Sequence, residues 1–403
     1  MSRSFPIPLI LACGSGIALI SLGERSAFGL FQNDMVASRE WGRETFALAF
    51  ALQNLVWGIG QPIAGAIADR YGTSKVLVGG GLLYALGLLG TVYAEGAFAM
   101  HLFFGIMLGF GMAASSFTIV ISAFGRSVSP ARRTLAFGLG TAAGSMGMFL
   151  FGPLGAVLIG TQGWEKALLF FAGIALLILP FSIPLQGRSK ADPGQATQSL
   201  GAALKEAFAY RSYILLAFGF FVCGFHVAFI IAHMPAYIQD LGLSPTLGGT
   251  AIALIGLFNV IGSLGAGAIG QRYSKAYSLS ILYLLRAVAI TVFVLTPISG
   301  TSVIVFSCAM GLLWLSTVPL TSGLVSVMFG PRYMATLFGF VFFSHQVGSF
   351  LGVWLGGVIY AQTGSYDLLW WIGVALGIFA AIVHLPIRDA PAPRLAGMVP
   401  AAA

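Results

Sequence analysis

The sequence predicts an all-α membrane protein: twelve transmembrane helices in two pseudo-symmetric six-helix bundles. Three observations predict it, namely composition, twelve apolar runs and an internal repeat. The chain is 58% hydrophobic and only 8% charged, with a mean hydropathy of +0.93. A soluble domain carries roughly 25% charged residues. Period-2 alternation is absent, which excludes a membrane barrel and leaves helices as the spanning element.

A spanning helix needs about 20 apolar residues. Such runs occupy residues 6–31, 45–67, 76–93, 97–124, 134–159 and 167–183, then 214–237, 247–269, 279–295, 303–328, 335–361 and 368–385. The first lacks a small-residue cleavage site and reads as a retained span. The longest polar stretch, "QGRSKADPGQATQSLGAALKEAFAYRS" at 186–212, divides the runs six and six. It defines an N-terminal bundle (1–185), a cytoplasmic linker (186–212) and a C-terminal bundle with a short tail (213–403). "ADPG" breaks the linker, which reads first as a plain connector, with a short amphipathic helix on the membrane surface over residues 199–209 as the alternative.

The second half repeats the first at an offset of 202 residues. "AGAIADRYG" (64–72) matches "AGAIGQRYS" (266–274), Trp164 falls on Tyr366, and Thr134-Leu135 fall on Thr336-Leu337. Two membrane halves of one internal order are the mark of a transporter that rocks one half against the other around a central site.

The net charge of +8 raises nucleic acid as a partner, and its distribution argues against that. With the N-terminus inside, fifteen Lys and Arg fall in cytoplasmic segments, whereas Arg39, Arg43 and Lys166 lie outside and Arg25 and Arg286 lie within spans. This bias sets both termini in the cytoplasm. Cys13, Cys223 and Cys308 lie in apolar runs without metal or disulfide spacing. Phosphate-loop, HExxH and nucleophile-elbow patterns are missing, so neither an enzyme nor a nucleotide motor is expected, with no cofactor and no metal.

"GAIADRYGTSK" (65–75) resembles the loop between the second and third helices of the major facilitator superfamily. The resemblance covers nearly the whole chain and implies the major facilitator fold. In that loop Gly65 allows close helix approach, Asp69 caps and pairs with basic groups, and Gly72 makes the turn. Arg70, Lys75, Arg132 and Arg133 complete the expected cytoplasmic gate. Gln271 replaces Asp69 in the second half, which weakens the second gate. "RRTLAFGLGTAAGSMG" (132–147) resembles the fifth-helix signature of the monocarboxylate transporter and oxalate/formate antiporter branch, with the Gly-Ala spacing shifted. "TGSYDLLW", "HMPAYIQDLGLSP" and "SHQVGSFLGVWLGG" are similar to bacterial members of that branch.

Ionisable groups inside a bilayer cost roughly 2.5 to 3.5 kcal/mol each on insertion scales, which makes them functional candidates. On the first helix Gly14, Ala18, Ser21, Arg25, Gly29 and Gln32 form one small-and-polar stripe. Arg25 is therefore the leading substrate contact. The resemblance adds that a branch cation sits six residues before the second aromatic of the helix end, and Arg25 stands six before Phe31. Glu24 points about 100° away and needs a partner on another helix or a proton. The alternative is that both are solvated charges at a helix end.

The seventh helix carries Cys223, His226, Ile230, His233 and Tyr237 on one face, and the eleventh carries His345, Ser349, Gly352 and Gly356. Glu24, His226, His233 and His345 are the proton-coupling candidates. Arg25, Asn54, Asn259, His345, Gln346 and Trp314 are the substrate-binding candidates. Gln53 and Trp57 are further cavity candidates. His345 falls where oxalate-type relatives carry a lysine. The eighth-helix Arg of monocarboxylate relatives is missing, with Asn259 and Ser263 aligned there instead. Arg286, in the ninth helix, more readily pairs with backbone or snorkels.

The expected function is secondary transport of a small organic anion, most simply a monocarboxylate moved with a proton. The alternatives are proton-driven efflux of amphipathic drugs or metabolites, and anion exchange of the oxalate/formate type. The expected setting is a bacterial cytoplasmic (inner) membrane, with a small organic anion, protons and lipids as partners, no nucleic acid, and a monomeric state.

Overall fold

The computed structural model describes residues 5–128, 133–187, 199–329 and 334–392, and among them there is no strand. Twelve helices are long and apolar enough to cross a membrane. In the first half they are α1 (Ile7–Ser38), α2 (Arg43–Ala68), α3 (Thr73–Val92), α4 (Ala97–Ile121), α5 (Gly138–Gln162) and α6 (Trp164–Leu185). In the second half they are α7 (Arg211–Asp240), α8 (Pro245–Arg272), α9 (Lys275–Leu295), α10 (Gly300–Phe329), α11 (Thr336–Thr363) and α12 (Asp367–His384). A short helix, Leu200–Ala209, lies between the halves, and the Ser199 hydroxyl caps it by accepting from the Ala202 N–H at 3.2 Å.

Most of the helices outrun the apolar runs by a few residues because polar end residues continue the backbone pattern into the interface. The largest extension is in α1, where the run stops at Phe31. A 3-10 turn at Phe28–Phe31 carries the chain into a further helix, Gln32–Ser38. Glu24 and Arg25 consequently sit near the middle of a 32-residue span rather than at its end. Both are buried, at 0% and 5% exposure, which excludes the solvated helix-end alternative.

The terminal face of the bundle carries residue 5, the α2–α3 turn and the Leu200–Ala209 helix, and the far face carries the α1–α2, α7–α8 and α11–α12 turns. The halves meet along two long seams, α2 against α11 and α5 against α8. A methyl group placed on the glycines of these seams measures how tightly they close. On the far side it would strike Ala47 from Gly357, and reach the Gly249 carbonyl from Gly152 at 2.8 Å. Mid-seam it would reach Gln346 from Gly58 at 2.6 Å and Met148 from Gly256 at 2.7 Å. Toward the terminal face the same probe meets Pro62 from Gly339 only at 3.9 Å and Leu264 from Gly138 at 3.7 Å. The seams are therefore tight on the far side and relaxed on the terminal side. α1 and α7 add to the closure, since Gly29 packs directly on the Ile231 carbonyl.

Candidate functional site

The stripe on α1 places Arg25 between the halves. Its Nη2 donates to Asn54 Oδ1 at 2.6 Å, and the orientation of that amide is fixed because Asn54 Nδ2 donates to the Phe50 carbonyl at 2.8 Å. The guanidinium carbon lies 5.2 Å from the Trp57 ring centroid and 5.9 Å from that of Phe50. Phe50 is itself fixed edge-to-face against Phe28 and Phe104, contacts of about 0.5 to 1.5 kcal/mol each. Arg25 Nε has no hydrogen-bond partner, and among the described residues no carboxylate pairs with the guanidinium.

Arg25 lines a cavity built by both halves. Leu22, Ser26, Trp57, Phe117, Thr141 and Met148 contribute from the first half; Phe220, Val227, Ile231, Trp314, Leu315, Val318, Phe342 and His345 contribute from the second. The walls are mostly apolar, with Arg25 and His345 as the ionisable groups. His345 Nδ1 donates to Gln346 Oε1 at 2.9 Å, and its ring stacks on Phe342 at 5.4 Å and leans on Phe220 at 4.9 Å. Gln346 Nε2 is buried without a partner.

Glu24 takes a separate course. It is fully buried away from Arg25, beside Tyr84 of α3, and neither carboxyl oxygen completes a hydrogen bond of ordinary geometry. The Tyr84 hydroxyl directs a long bond, 3.4 Å, to the Ser21 carbonyl. An ionised carboxylate left in that position costs several kcal/mol. A proton or a rearrangement of Tyr84 must accompany the group.

The structure does not bring His226 or His233 to the cavity. α7 turns Phe220, Val227 and Ile231 inward, so the histidine face packs on α11 and α12. His226 Nε2 donates to the Gly373 carbonyl at 2.7 Å, and His233 Nε2 to the Val353 carbonyl at 2.8 Å. Asn259 is likewise spent: its Oδ1 accepts from the Leu315 N–H and its Nδ2 donates to Ser145 Oγ, both at 2.8 Å. Of the second-helix amides, Gln53 Nε2 donates to the Phe104 carbonyl at 3.1 Å and faces its own half. At the terminal face Gly72 ends α2 with φ 103°, as its turn requires, and Lys75 is exposed. Arg132 and the side chains of Asp69, Arg70 and Arg133 lie outside the described residues, and a methyl on Gly65 would meet nothing within 4 Å.

The far side holds a polar closure between the halves. Arg43 at the start of α2 grips Asp240 at the end of α7 with two bonds of 2.6 and 2.7 Å. Its guanidinium sits 4.1 Å over the Tyr360 ring and reaches the Tyr366 hydroxyl at 3.3 Å. That hydroxyl is 3.4 Å from His233 Nδ1, so the latch connects to α7, α11 and α12. Asn33 Nδ2 donates to Gln239 Oε1 at 3.0 Å alongside.

Comparison with known proteins bears on this two-half arrangement. Residues 13–353 match the family model described as Major Facilitator Superfamily. The chain belongs to the major facilitator superfamily. It is 25% identical over 376 residues to the uncharacterized MFS-type transporter YcxA of Bacillus subtilis, covering 91% of each chain. It is 25% identical to monocarboxylate transporter 13 of Rattus norvegicus, covering 85% of this chain and 80% of that one. Monocarboxylate transporter 11 of Homo sapiens is also 25% identical, with 95% and 83% covered. The fold matches the crystal structure of a D-xylose-proton symporter with a TM-score of 0.75 at 15% identity, covering 96% of this chain and 98% of that one. It also matches the crystal structure of a point mutant of the nucleoside transporter NupG with a TM-score of 0.72 at 16% identity, covering 95% and 100%. The protein is an integral membrane transporter and not an enzyme.

Two features of this major facilitator chain escaped the reading of its residues. One is the Arg43–Asp240 latch, whose members stand 197 positions apart. The other is a pair of helix breaks. α4 is interrupted at Ser115-Ser116, and α10 at Trp314–Ser316, close to the 202-residue equivalent of Ser115 at position 317. "ASSFT" and "LSTVP" carried the signal, since paired hydroxyl residues mid-run, with Pro319 following in α10, suit a helix start.

Proposed function

We propose that the protein moves a small monocarboxylate together with a proton by alternating access through the cavity at Arg25. The observation that carries this reading is the buried Arg25 guanidinium, which faces a cavity between the halves and, among the described residues, has an amide oxygen and two aromatic rings as its partners. A buried cation without a counter-ion favours an anionic ligand, and a planar guanidinium matches a carboxylate. The apolar remainder of the walls favours a carboxylate with an apolar body over oxalate or formate. The lone cavity arginine also argues against a dicarboxylate. The names of the monocarboxylate transporters similar to this chain point the same way.

His345, on the opposite half, is positioned to share the carboxylate or its proton, and Glu24 is the buried group that a coupled proton would neutralise. Binding anion and proton together leaves the site neutral, which lowers the cost of closing it inside low-dielectric walls. Residues 1–185 and 213–403 act as the two rocking bundles joined by 186–212. The basic bias supports a terminal face on the cytoplasmic side, here of a bacterial inner membrane, and with that orientation the tight far-side seams correspond to an inward-facing conformation. Asp69, Arg70, Lys75, Arg132 and Arg133 close the cytoplasmic side in the other state. The protein works as a monomer.

The test is uptake into proteoliposomes of radiolabelled pyruvate, lactate and phenylpyruvate, with and without an inward proton gradient. Uptake of one of these that rises with the gradient and is lost in Arg25→Gln supports the reading. Uptake that Arg25→Gln leaves unchanged sinks it.

A further inference from the structure

The break in α10 leaves backbone groups without helical partners in the middle of a span, where no bulk water is at hand to serve them. Two residues from other helices supply those partners. Arg286 of α9, fully buried, donates from Nη2 and Nε to the Leu313 carbonyl at 2.7 and 3.1 Å, and from Nη2 to the Trp314 carbonyl. Asn259 of α8 accepts from the Leu315 N–H at 2.8 Å. Trp314 and Leu315 are cavity walls, so the break that these residues stabilise is also the surface that meets the solute. Both breaks are also served from within by a hydroxyl, Ser316 Oγ donating to the Leu312 carbonyl at 2.6 Å in α10 and Ser115 Oγ to the Gly111 carbonyl at 2.7 Å in α4, and α10 adds the two partners from other helices.

Asn259 does a second thing. Its amide donates across the α5–α8 seam to Ser145 Oγ, and that hydroxyl donates in turn to the Thr141 carbonyl at 3.0 Å. Thr141 lines the cavity from the first half. A continuous hydrogen-bonded path therefore runs from one wall (Thr141) through Ser145 and Asn259 to the opposite wall (Leu315). It crosses the boundary between the halves once, at the Ser145–Asn259 bond.

We infer that Arg286 and Asn259 are positioning residues for the α10 wall, and that the Ser145–Asn259 bond ties that wall to the far-side-closed arrangement of the two halves. Rocking the halves apart along α5 and α8 breaks this bond and loosens the Asn259 amide, whose Oδ1 holds the Leu315 N–H within the second half. Movement of the bundles is thereby felt at the solute through α10. Arg286 serves the two carbonyls from two nitrogens held in one plane, a fixed geometry that the single rotating nitrogen of a lysine does not reproduce. The inference rests on the cavity being the transport site and not on the solute being a carboxylate.

The experiment measures conformation without solute. Spin labels are placed at Ala37→Cys and Leu241→Cys on the far side, with Cys13, Cys223 and Cys308 replaced by serine, and inter-label distances are read by pulsed electron resonance. Removing one bond made in only one of two states shifts their ratio roughly three- to tenfold. Ser145→Ala, a mild change, is expected to shift the distribution by that factor toward far-side-open. Asn259→Ala is expected to shift it at least as far, and the double variant no further than Asn259→Ala alone, because both remove the same bond. Arg286→Gln, if it folds, is expected to move the fluorine resonance of 5-fluorotryptophan at position 314, with Arg286→Lys intermediate. Unchanged distance distributions in Ser145→Ala and Asn259→Ala, with a lowered melting temperature alone, would overturn the coupling and leave a packing role. Because no solute is present, this result is independent of whether pyruvate, lactate or phenylpyruvate is transported.

Discussion

Replacing Asp240 with Asn should unlatch the far side. The latch is bidentate, with bonds of 2.6 and 2.7 Å, but its side chains are 17% and 26% exposed, so solvent screens part of the attraction. A fully exposed pair contributes about 0 to 1 kcal/mol, and hydrogen bonds to charged groups contribute about 1.5 to 3. A partly buried fork falls between, at about 1 to 2 kcal/mol. If the bond exists only with the far side closed, losing it raises the open-to-closed ratio roughly five- to thirtyfold. The assay is the rate at which an impermeant thiol reagent, added from the far side, modifies Ser26→Cys at the cavity in oriented vesicles. Asp240→Asn and Arg43→Ala are each expected to raise that rate by this factor, and the exchange Arg43→Asp with Asp240→Arg to bring it back toward the parent. A rate in Asp240→Asn within twofold of the parent would refute the reasoning, and failure of the exchange to restore it would assign closure to the stacking of Arg43 on Tyr360.

Two further outcomes follow from the same geometry. Gly29→Ala places a methyl group on the Ile231 carbonyl, so α1 and α7 cannot close; the far-side label distances should lengthen while the melting temperature falls only modestly. Glu24→Gln keeps the shape of the buried group and removes its proton, so gradient-driven accumulation should fall at least tenfold while solute exchange at equal pH persists. Loss of both activities together would instead make Glu24 a structural group.

The membrane architecture was legible because spanning length and apolar composition are local properties of the chain, and the 202-residue repeat made the two halves visible without any contact being known. Arg25 was legible for a related reason: one stripe of Gly, Ala, Ser and Arg at helical spacing distinguishes the crowded face of α1. The same logic misled on α7. Its histidines do share a face, but α7 is buried on nearly every side, so periodicity identifies a face without saying which neighbour it meets. Asn259 looked like a free polar group because the break in α10 that consumes it is hidden within a continuous apolar run; serine and threonine hydroxyls that bond back to the preceding turn let such a run bend without a change in composition. For Arg286 the sequence leaves backbone pairing and snorkelling both open, and the break in α10 supplies the two carbonyls that decide for the first. The latch of Arg43 with Asp240 joins two residues that look like ordinary charged helix ends, and only the packing of the two halves shows that they face each other.

The proposed transport depends on the Arg25 guanidinium binding a solute carboxylate in the cavity between the halves. The most direct measurement is thermal stabilisation of the purified protein by pyruvate, lactate and phenylpyruvate at pH 5.5 and 7.5, comparing the parent with Arg25→Gln, since a ligand that binds only the folded state raises its apparent stability. At least one of these carboxylates is expected to stabilise the parent, more strongly at pH 5.5, and Arg25→Gln to lose that stabilisation while its melting temperature without ligand is kept. Equal stabilisation of the parent and Arg25→Gln by the same carboxylate would contradict the proposal.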